Sequence, residues 1–407
     1  MRPLTFMIVA GEASGDLLAA ELVPALRSKV IQLAQQPTSD VQPRRTPLEP
    51  LFFGAGGPRM AAAGVELAAH LTQHAVVGLA EPLRRLRLFG KLLGQLVRLA
   101  VQRKPDAIVC VDFFGFNHRL ARAIRRYVRN RLSWFQPWNP VIIQYVSPQV
   151  WASRPGRVRR LAADYDLVLS ILPFEKAWYA AHAPEVKIEF VGHPVLDRLA
   201  QAGMLAWPAA EPRTETDEPP QVVLLPGSRI DELRRHVPVM LGAFELIRSH
   251  LRGCAAKMVL PDETLAAQAR SLGVPEHVEL VHDGLYQALS RATIAIAKSG
   301  TVTLECAVLG VPTVVIYKTS WPTYLVAKQF VKVKHLAMPN LLAGEELMPE
   351  LIQAAATPAN VARAALELLN DPARLRALRK KLSQLTAQLG GPGVADRAAT
   401  AITDLLK

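Results

Sequence analysis

Short, almost unbroken apolar runs alternate along this chain with longer segments in which apolar residues return at helical spacing. In the first half the runs are residues 5–10, 107–111, 141–146 and 167–171; in the second they are 222–225, 257–260, 294–297 and 313–316. Runs without polar alternation fit strands buried on both faces, and the segments between them fit helical crossovers, so the pattern predicts an α/β fold with parallel sheets. The alternation occupies both halves, which predicts two similar domains. Residues 206–220, rich in proline and acid, read as a linker or exposed insertion near the domain boundary. A second polar stretch, 35–50, reads as an extended loop after the first helix whose deletion the fold should tolerate.

Half of the 407 residues are hydrophobic and 20% are charged, the balance of a folded protein with room for two cores. Cys110, Cys254 and Cys306 lie inside apolar runs and read as small buried hydrophobes of a reducing compartment. Glu12 and Asp16 interrupt the first apolar run before a signal-peptide core is complete. No uncharged run reaches the roughly 18 to 20 residues that span a bilayer, so membrane contact is expected to be peripheral.

The net charge of +13 is concentrated: residues 82–163 hold seventeen Lys or Arg against two acids, a local excess of +15. Projected at about 100° per residue, Arg84, Arg87, Lys91 and Arg98 fall on one side of a helix and Leu86, Phe89, Leu93, Leu96 and Ala100 on the other. Such a helix suits an anionic membrane surface, and its apolar side can pack on the domain core at the same time. With no zinc finger, RNA-recognition signature or aromatic stacking series, nucleic acid is not an expected partner.

Candidate chemistry sits at three glycine-punctuated strand-to-helix junctions, where free backbone N–H groups and the helix dipole favour phosphate. They are Gly11-Glu12-Ala13-Ser14-Gly15-Asp16, Leu225-Pro226-Gly227-Ser228-Arg229 and Lys298-Ser299-Gly300-Thr301, the last followed by Glu305. Each alone is an ordinary βα turn. The second and third together resemble a nucleotide cradle, with Arg229 and loop amides for pyrophosphate and Glu305 for ribose hydroxyls. There is no Walker loop, and Gly54-Ala55-Gly56-Gly57 lacks dinucleotide spacing, so NTP hydrolysis and hydride transfer are disfavoured. Asp164-Tyr165-Asp166 has a D-x-D form but leads straight into a strand and reads as structural, so no metal is expected.

As a set, 10–16 and Asp112-Phe113-Phe114-Gly115-Phe116-Asn117, followed in order by 145–152, 172–176, Val191-Gly192-His193-Pro194, 225–229, 299–305 and 339–344, resemble the lipid-A-disaccharide synthase family over nearly the whole chain. The resemblance implies the glycosyltransferase B architecture: two Rossmann-like domains with a cleft between them. Domain one would be 1–205, completed by C-terminal helices from about 380 to 407; 206–220 would link it to domain two, 221–380. The implied activity is inverting transfer of 2,3-diacylglucosamine from UDP-2,3-diacylglucosamine to 2,3-diacylglucosamine 1-phosphate, giving a β(1→6) disaccharide and UDP without a cofactor. The implied location is the cytoplasmic, inner-leaflet surface of the inner membrane, and a homodimer is left open.

On these positions the resemblance places the catalytic group at Asp112, with Glu12 as rival carboxylate and Asn117 beside it. It places UDP at Gly227, Ser228, Arg229, Ser299, Gly300, Thr301, Glu305 and Asn340. It places the acceptor at Ser14, Gly15, Asp16, Ser147, Trp151 and His193. A carboxylate ending an apolar strand gains nothing there unless it caps the next helix, which is the structural alternative for Asp112. Many relatives carry a second Asp where this chain has Gly115, so that carboxylate cannot be required here. Trp151 and Trp321 could line an acyl channel or simply pack; packing is the expected reading, and Trp321 is left out of the site. A UDP-sugar epimerase of the same architecture and a non-enzymatic membrane-surface protein remain as alternatives.

Overall fold

The computed structural model describes residues 2–35, 49–71, 82–131, 138–153, 158, 161–205, 219–251, 253–330 and 333–407. The two polar insertions therefore lie almost wholly outside the described residues. The chain forms two compact units, one from Met1–Pro194 with Pro392–Lys407 and the other from Val195–Gly391. The changeover falls at Pro194, ahead of the polar segment expected to divide the domains, because Val195, Leu196 and Leu199 pack against Leu304 and Leu389 of the second unit.

The first unit is built on a parallel sheet of β1 (Thr5–Ala10), β2 (Leu51–Gly56), β3 (Glu66–His70), β4 (Ala107–Val111), β5 (Val141–Tyr145), β6 (Leu167–Ser170) and β7 (Ile188–Phe190), in the order β3-β2-β1-β4-β5-β6-β7. Period-two side-chain alternation divides its core into two faces. Phe6, Ile8 and Ala10 join Val109 and Val111 on one, and Met7 and Val9 join Ile108 and Cys110 on the other. Each such residue is fully buried, which for a large aliphatic chain stabilises by about 1.5–3 kcal/mol. The first face is covered by the helices Ala13–Gln35 and Val394–Asp404, the second by Pro82–Arg103 and Phe114–Arg131. Only the last helix returns to this unit; Pro372–Thr386 buries Leu375, Leu378, Leu382 and Leu385 in the other. On Pro82–Arg103, Lys91 and Arg98 are exposed while Leu96 and Ala100 enter the core.

The second unit repeats the plan with β8 (Gln221–Leu225), β9 (Ala255–Leu260), β10 (Val278–His282), β11 (Ile294–Lys298), β12 (Thr313–Tyr317) and β13 (Glu350–Ile352), in the order β10-β9-β8-β11-β12-β13. In each sheet the order reverses once, between β1 and β4 and between β8 and β11, and ligands of open α/β sheets bind beyond the carboxyl ends of the strands at that point. The three cysteines are buried, and desolvation pushes their thiols up to about 12, about 11 and about 12 for Cys110, Cys254 and Cys306. No helix among the described residues is long and apolar enough to cross a membrane.

Candidate active site

The four motif loops follow the four strands that flank the two switch points. Residues 11–16 follow β1 and 112–117 follow β4 in the first unit; 226–229 follow β8 and 298–301 close β11 in the second.

Asp112 begins an elbow. It and Phe113 both adopt left-handed backbone, with φ of 48° and 43°. Neither is glycine, so each conformation costs about 1–3 kcal/mol and persists only where the surroundings enforce it. The enforcing contacts are specific. The Asp112 N–H donates to the Tyr145 carbonyl at 2.8 Å, and the Asn117 side-chain amide donates to the Asp112 carbonyl at 2.8 Å. Gln144 Nε2 reaches the same carbonyl at 3.3 Å. Phe113 stacks on Phe116 with centroids 5.7 Å apart and lies against Phe89 at 6.0 Å. Gly11 makes room for that ring, since a Cβ there would stand 2.1 Å from it. The elbow presents a half-buried carboxylate whose pKa burial raises; the Phe113 backbone amide and the Ser14 hydroxyl, 3.5 Å away, pull it back only in part. A raised pKa and a free direction of approach are what a general base requires.

The structure sorts the remaining candidates of this unit. Ser14 and Gly15 stand beside Asp112, where a Cβ on Gly15 would be 3.6 Å from the Asp112 Cβ. Glu12 is half-buried in the same loop. Asn117 is fully buried and holds the elbow through three backbone carbonyls, so it positions Asp112 rather than touching substrate. Asp16 differs from expectation in the same way. Its carboxylate accepts the backbone N–H groups of Gly57, Arg59 and Met60 at 2.8, 3.0 and 3.1 Å, capping the helix Pro58–Ala62 from a distance. The D-x-D segment is also structural at its second Asp: Asp166 pairs with Arg125 and accepts the Ile142 N–H. His193 is buried.

Ser147 and Trp151 belong to a buried polar cluster whose centre is Glu175, a residue of motif 172–176 to which the sequence assigns no role. Glu175 is 1% exposed. It accepts from Trp151 Nε1 at 3.0 Å, and Ser147 bonds Tyr179 at 3.0 Å beside it. The Ser170 hydroxyl lies 2.7 Å from Glu175 Oε2 and 2.8 Å from the Leu172 carbonyl. Its one proton is shared between the two acceptors, and burial raises the Glu175 pKa against the hydrogen bonds from Ser170 and Trp151. Glu175→Gln, which keeps an acceptor for Trp151 Nε1 and brings no charge into the buried cluster, is expected to keep the parent melting temperature. Glu175→Ala strands Trp151 Nε1 and should lose about 2–4 kcal/mol and raise the acceptor KM. Thermal melts and acceptor titrations of both variants check this, and equal damage from Gln and Ala would contradict it. Trp321, expected to pack, is 59% exposed and touches Tyr324 edge-on.

In the second unit, Gly227 takes φ 126°, and Ser228 and Arg229 are exposed beyond it. His236 fastens this loop: its Nε2 accepts the Lys318 backbone N–H at 3.0 Å, so its Nδ1 donates to the Pro226 carbonyl at 3.0 Å. Burial drives its pKa down to about 4, keeping it neutral. Ser299 gives its N–H to Ile316 and its hydroxyl to Leu336, and the Gly300 carbonyl caps Thr303, leaving Thr301 exposed at the helix start. Glu305 is 9% exposed, with a pKa raised by burial against the opposing charge of Arg198 and a 3.2 Å bond from Tyr286. Asn340, assigned to UDP by resemblance, donates to Met348 and Glu350 and accepts from Leu347 and Met348, all at 2.7–2.8 Å. That saturated network makes it the brace of its own turn. Lys298 and Glu232 pair at 3.0 Å between the two glycine loops; the sequence reading assigns neither a role, because a lysine opening one glycine junction and a glutamate just beyond the other carry no local sign that they meet.

Comparison with known proteins bears on family and fold. A family model described as lipid-A-disaccharide synthetase matches residues 6–404. The lipid-A-disaccharide synthase of Syntrophus aciditrophicus is 36% identical over 413 residues, covering 98% of this chain and 97% of its own. Among solved structures, the glycotransferase of kitacinnamycin superposes with TM-score 0.62 at 18% identity over the full length of both chains. The UDP-GlcNAc 2-epimerase of Neisseria meningitidis does so with TM-score 0.55 at 13% identity, over 100% of this chain and 99% of its own. At such identities the structural likeness establishes the fold alone, shared by transferases and epimerases, whereas the sequence match extends through every motif loop: the chain belongs to the lipid-A-disaccharide synthetase family, glycosyltransferases of lipid A synthesis.

Proposed function

We propose that this glycosyltransferase moves 2,3-diacylglucosamine from UDP-2,3-diacylglucosamine to the 6-hydroxyl of 2,3-diacylglucosamine 1-phosphate, with inversion at the anomeric carbon. Asp112 takes the proton of the acceptor hydroxyl, the oxygen bonds to the anomeric carbon, and the bond from that carbon to the UDP oxygen breaks on the opposite face. The products are the β(1→6) disaccharide 1-phosphate and UDP. The observation that carries the proposal is the Asp112 elbow, a strained, half-buried carboxylate at the switch point of the first sheet.

Ser14, Gly15, Ser147, Trp151 and His193 serve the acceptor, with Glu12 as a second carboxylate in the loop. Gly227, Ser228, Arg229, Gly300, Thr301 and Glu305 serve the UDP portion, Arg229 offsetting charge that grows on the leaving diphosphate. The exposed Lys91 and Arg98 of the basic helix support peripheral binding at an anionic inner-leaflet surface. The test is UDP release together with mass spectrometry of the lipid product from the two purified substrates. A disaccharide phosphate equimolar with UDP is expected. Folded protein that binds UDP yet forms no disaccharide, or that converts a soluble UDP-sugar without lipid acceptor, would overturn the reading in favour of the epimerase.

A further inference from the structure

Between the two glycine loops of the second unit, one carboxylate gathers several positive groups. Glu232 Oε2 accepts the Ser228 backbone N–H at 2.9 Å, and Oε1 meets Lys298 Nζ at 3.0 Å. The two side chains are only 15% and 20% exposed. Burial alone would raise the Glu232 pKa, but the Lys298 and Arg229 charges and the Ser228 amide outweigh it and leave the carboxylate ionised. Gly227 is shaped to admit it, since a Cβ there would stand 2.4 Å from Glu232 Oε2. Lys298 Nζ also lies over its own loop, 3.5 Å from where a Gly300 Cβ would be. The pair thus ties the loop after β8 to the end of β11, the neighbouring strand across the switch point. The nearby Asp231 is directed elsewhere, to Arg234 at 3.8 Å, and His236 is neutral. Lys298 and Arg229 together exceed the single charge of Glu232, so the cluster is cationic while its best-placed donors are engaged by an internal anion.

We propose that Lys298 is a ligand of the donor's diphosphate, and that Glu232 is its resident counter-ion, holding Lys298 and the Ser228 amide in place until the diphosphate displaces it. The inference rests on the second unit being the UDP site. Glu232 carries a carboxylate where a phosphate oxygen would make the same two contacts, and a charge-assisted bond from lysine is among the stronger contacts a phosphate can gain. Competition between an internal anion and a ligand anion has a signature that a mere structural tie lacks: removal of either partner shifts affinity in opposite directions.

The experiment is calorimetric titration of UDP, with uridine as a phosphate-free control, into wild type, Lys298→Met and Glu232→Gln, each checked for fold by circular dichroism. Lys298→Met should weaken UDP by about tenfold to a hundredfold, Glu232→Gln should tighten it several-fold, and uridine should bind all three alike. Weakening in both variants would reduce the pair to a loop brace, and unchanged UDP affinity in both would remove it from the site; either result overturns the proposal. A folded wild type that binds no UDP would instead sink the nucleotide reading itself.

Discussion

Asp112→Asn is expected to reduce transfer by about a hundredfold to ten-thousandfold, the range typical of a lost general base, while leaving the protein at least as stable as the parent. Burial raises the Asp112 pKa above that of an ordinary aspartate, so its charged form is disfavoured in the folded state. A raised folded pKa means that the group's contribution to stability is present below the unfolded pKa and is lost as pH rises through the folded one. At neutral pH the charge therefore opposes folding, and the neutral isostere removes that opposition. Activity runs the other way, because the base works only when ionised: kcat/KM of the parent should rise with pH through the folded pKa of Asp112. The measurements are pH–rate profiles and thermal melts of parent and variant. A variant with near-parental turnover would exclude Asp112 as the base, whatever its effect on melting.

Gly54→Ala should be the most damaging single methyl in the first unit. Gly54 sits in β2 opposite Ile8 of β1, with φ 155°, at a register irregularity between β2 and β3. A Cβ there would lie 1.9 Å from the Ile8 carbonyl oxygen, a backbone atom that cannot swing aside. Relief requires β2 to move off β1, which would break the ladder and open the Phe6–Phe52 stack. A loss above about 4 kcal/mol, or failure to fold, is expected, since overpacking and backbone strain act together. Gly115→Ala supplies the contrast: nothing lies within 4 Å of the added methyl, and φ is not positive. It should stay within about 0.5 kcal/mol of the parent. Denaturant titrations of the two variants compare them directly, and a Gly54→Ala protein that unfolds like the parent would show that the strand pairing yields more readily than its geometry implies.

The strands with continuous apolar runs were readable from the chain alone; 5–10 and 107–111 match β1 and β4 to the residue. The strands that went unmarked are those whose burial is partial or whose composition misleads. β3 and β10 are half exposed, β7 and β13 have three residues each, and β2 carries two glycines that resemble a loop. A short edge strand has no periodic signal strong enough to rise above a helix end or a turn. The exposure of Trp321 was invisible for a related reason: an aromatic side chain reads as apolar wherever it stands, and only its neighbours decide whether it is covered.

The candidate site divides along the same line. Motifs 11–16, 112–117, 225–229 and 298–305 could be placed by sequence, because each is a local strand–glycine–helix signal. Their convergence in pairs at β1/β4 and β8/β11 follows from sheet order, which no local pattern encodes. Which polar residues remain available for chemistry was likewise undecided until the fold brought distant partners together. Asp16 is engaged by amides more than forty positions away, at Gly57 and Met60. Asn340 is saturated by its own turn, and Glu175 collects partners from β6 and from the short helix Val150–Ser153 after β5. The two α/β units, the glycine junctions and the family were legible in the chain, since these rest on local periodicity and contiguous motifs. That Asp112 stands in a strained elbow and that Lys298 faces Glu232 emerged with the fold, because hydrogen bonding and desolvation act through space between residues that the chain keeps far apart.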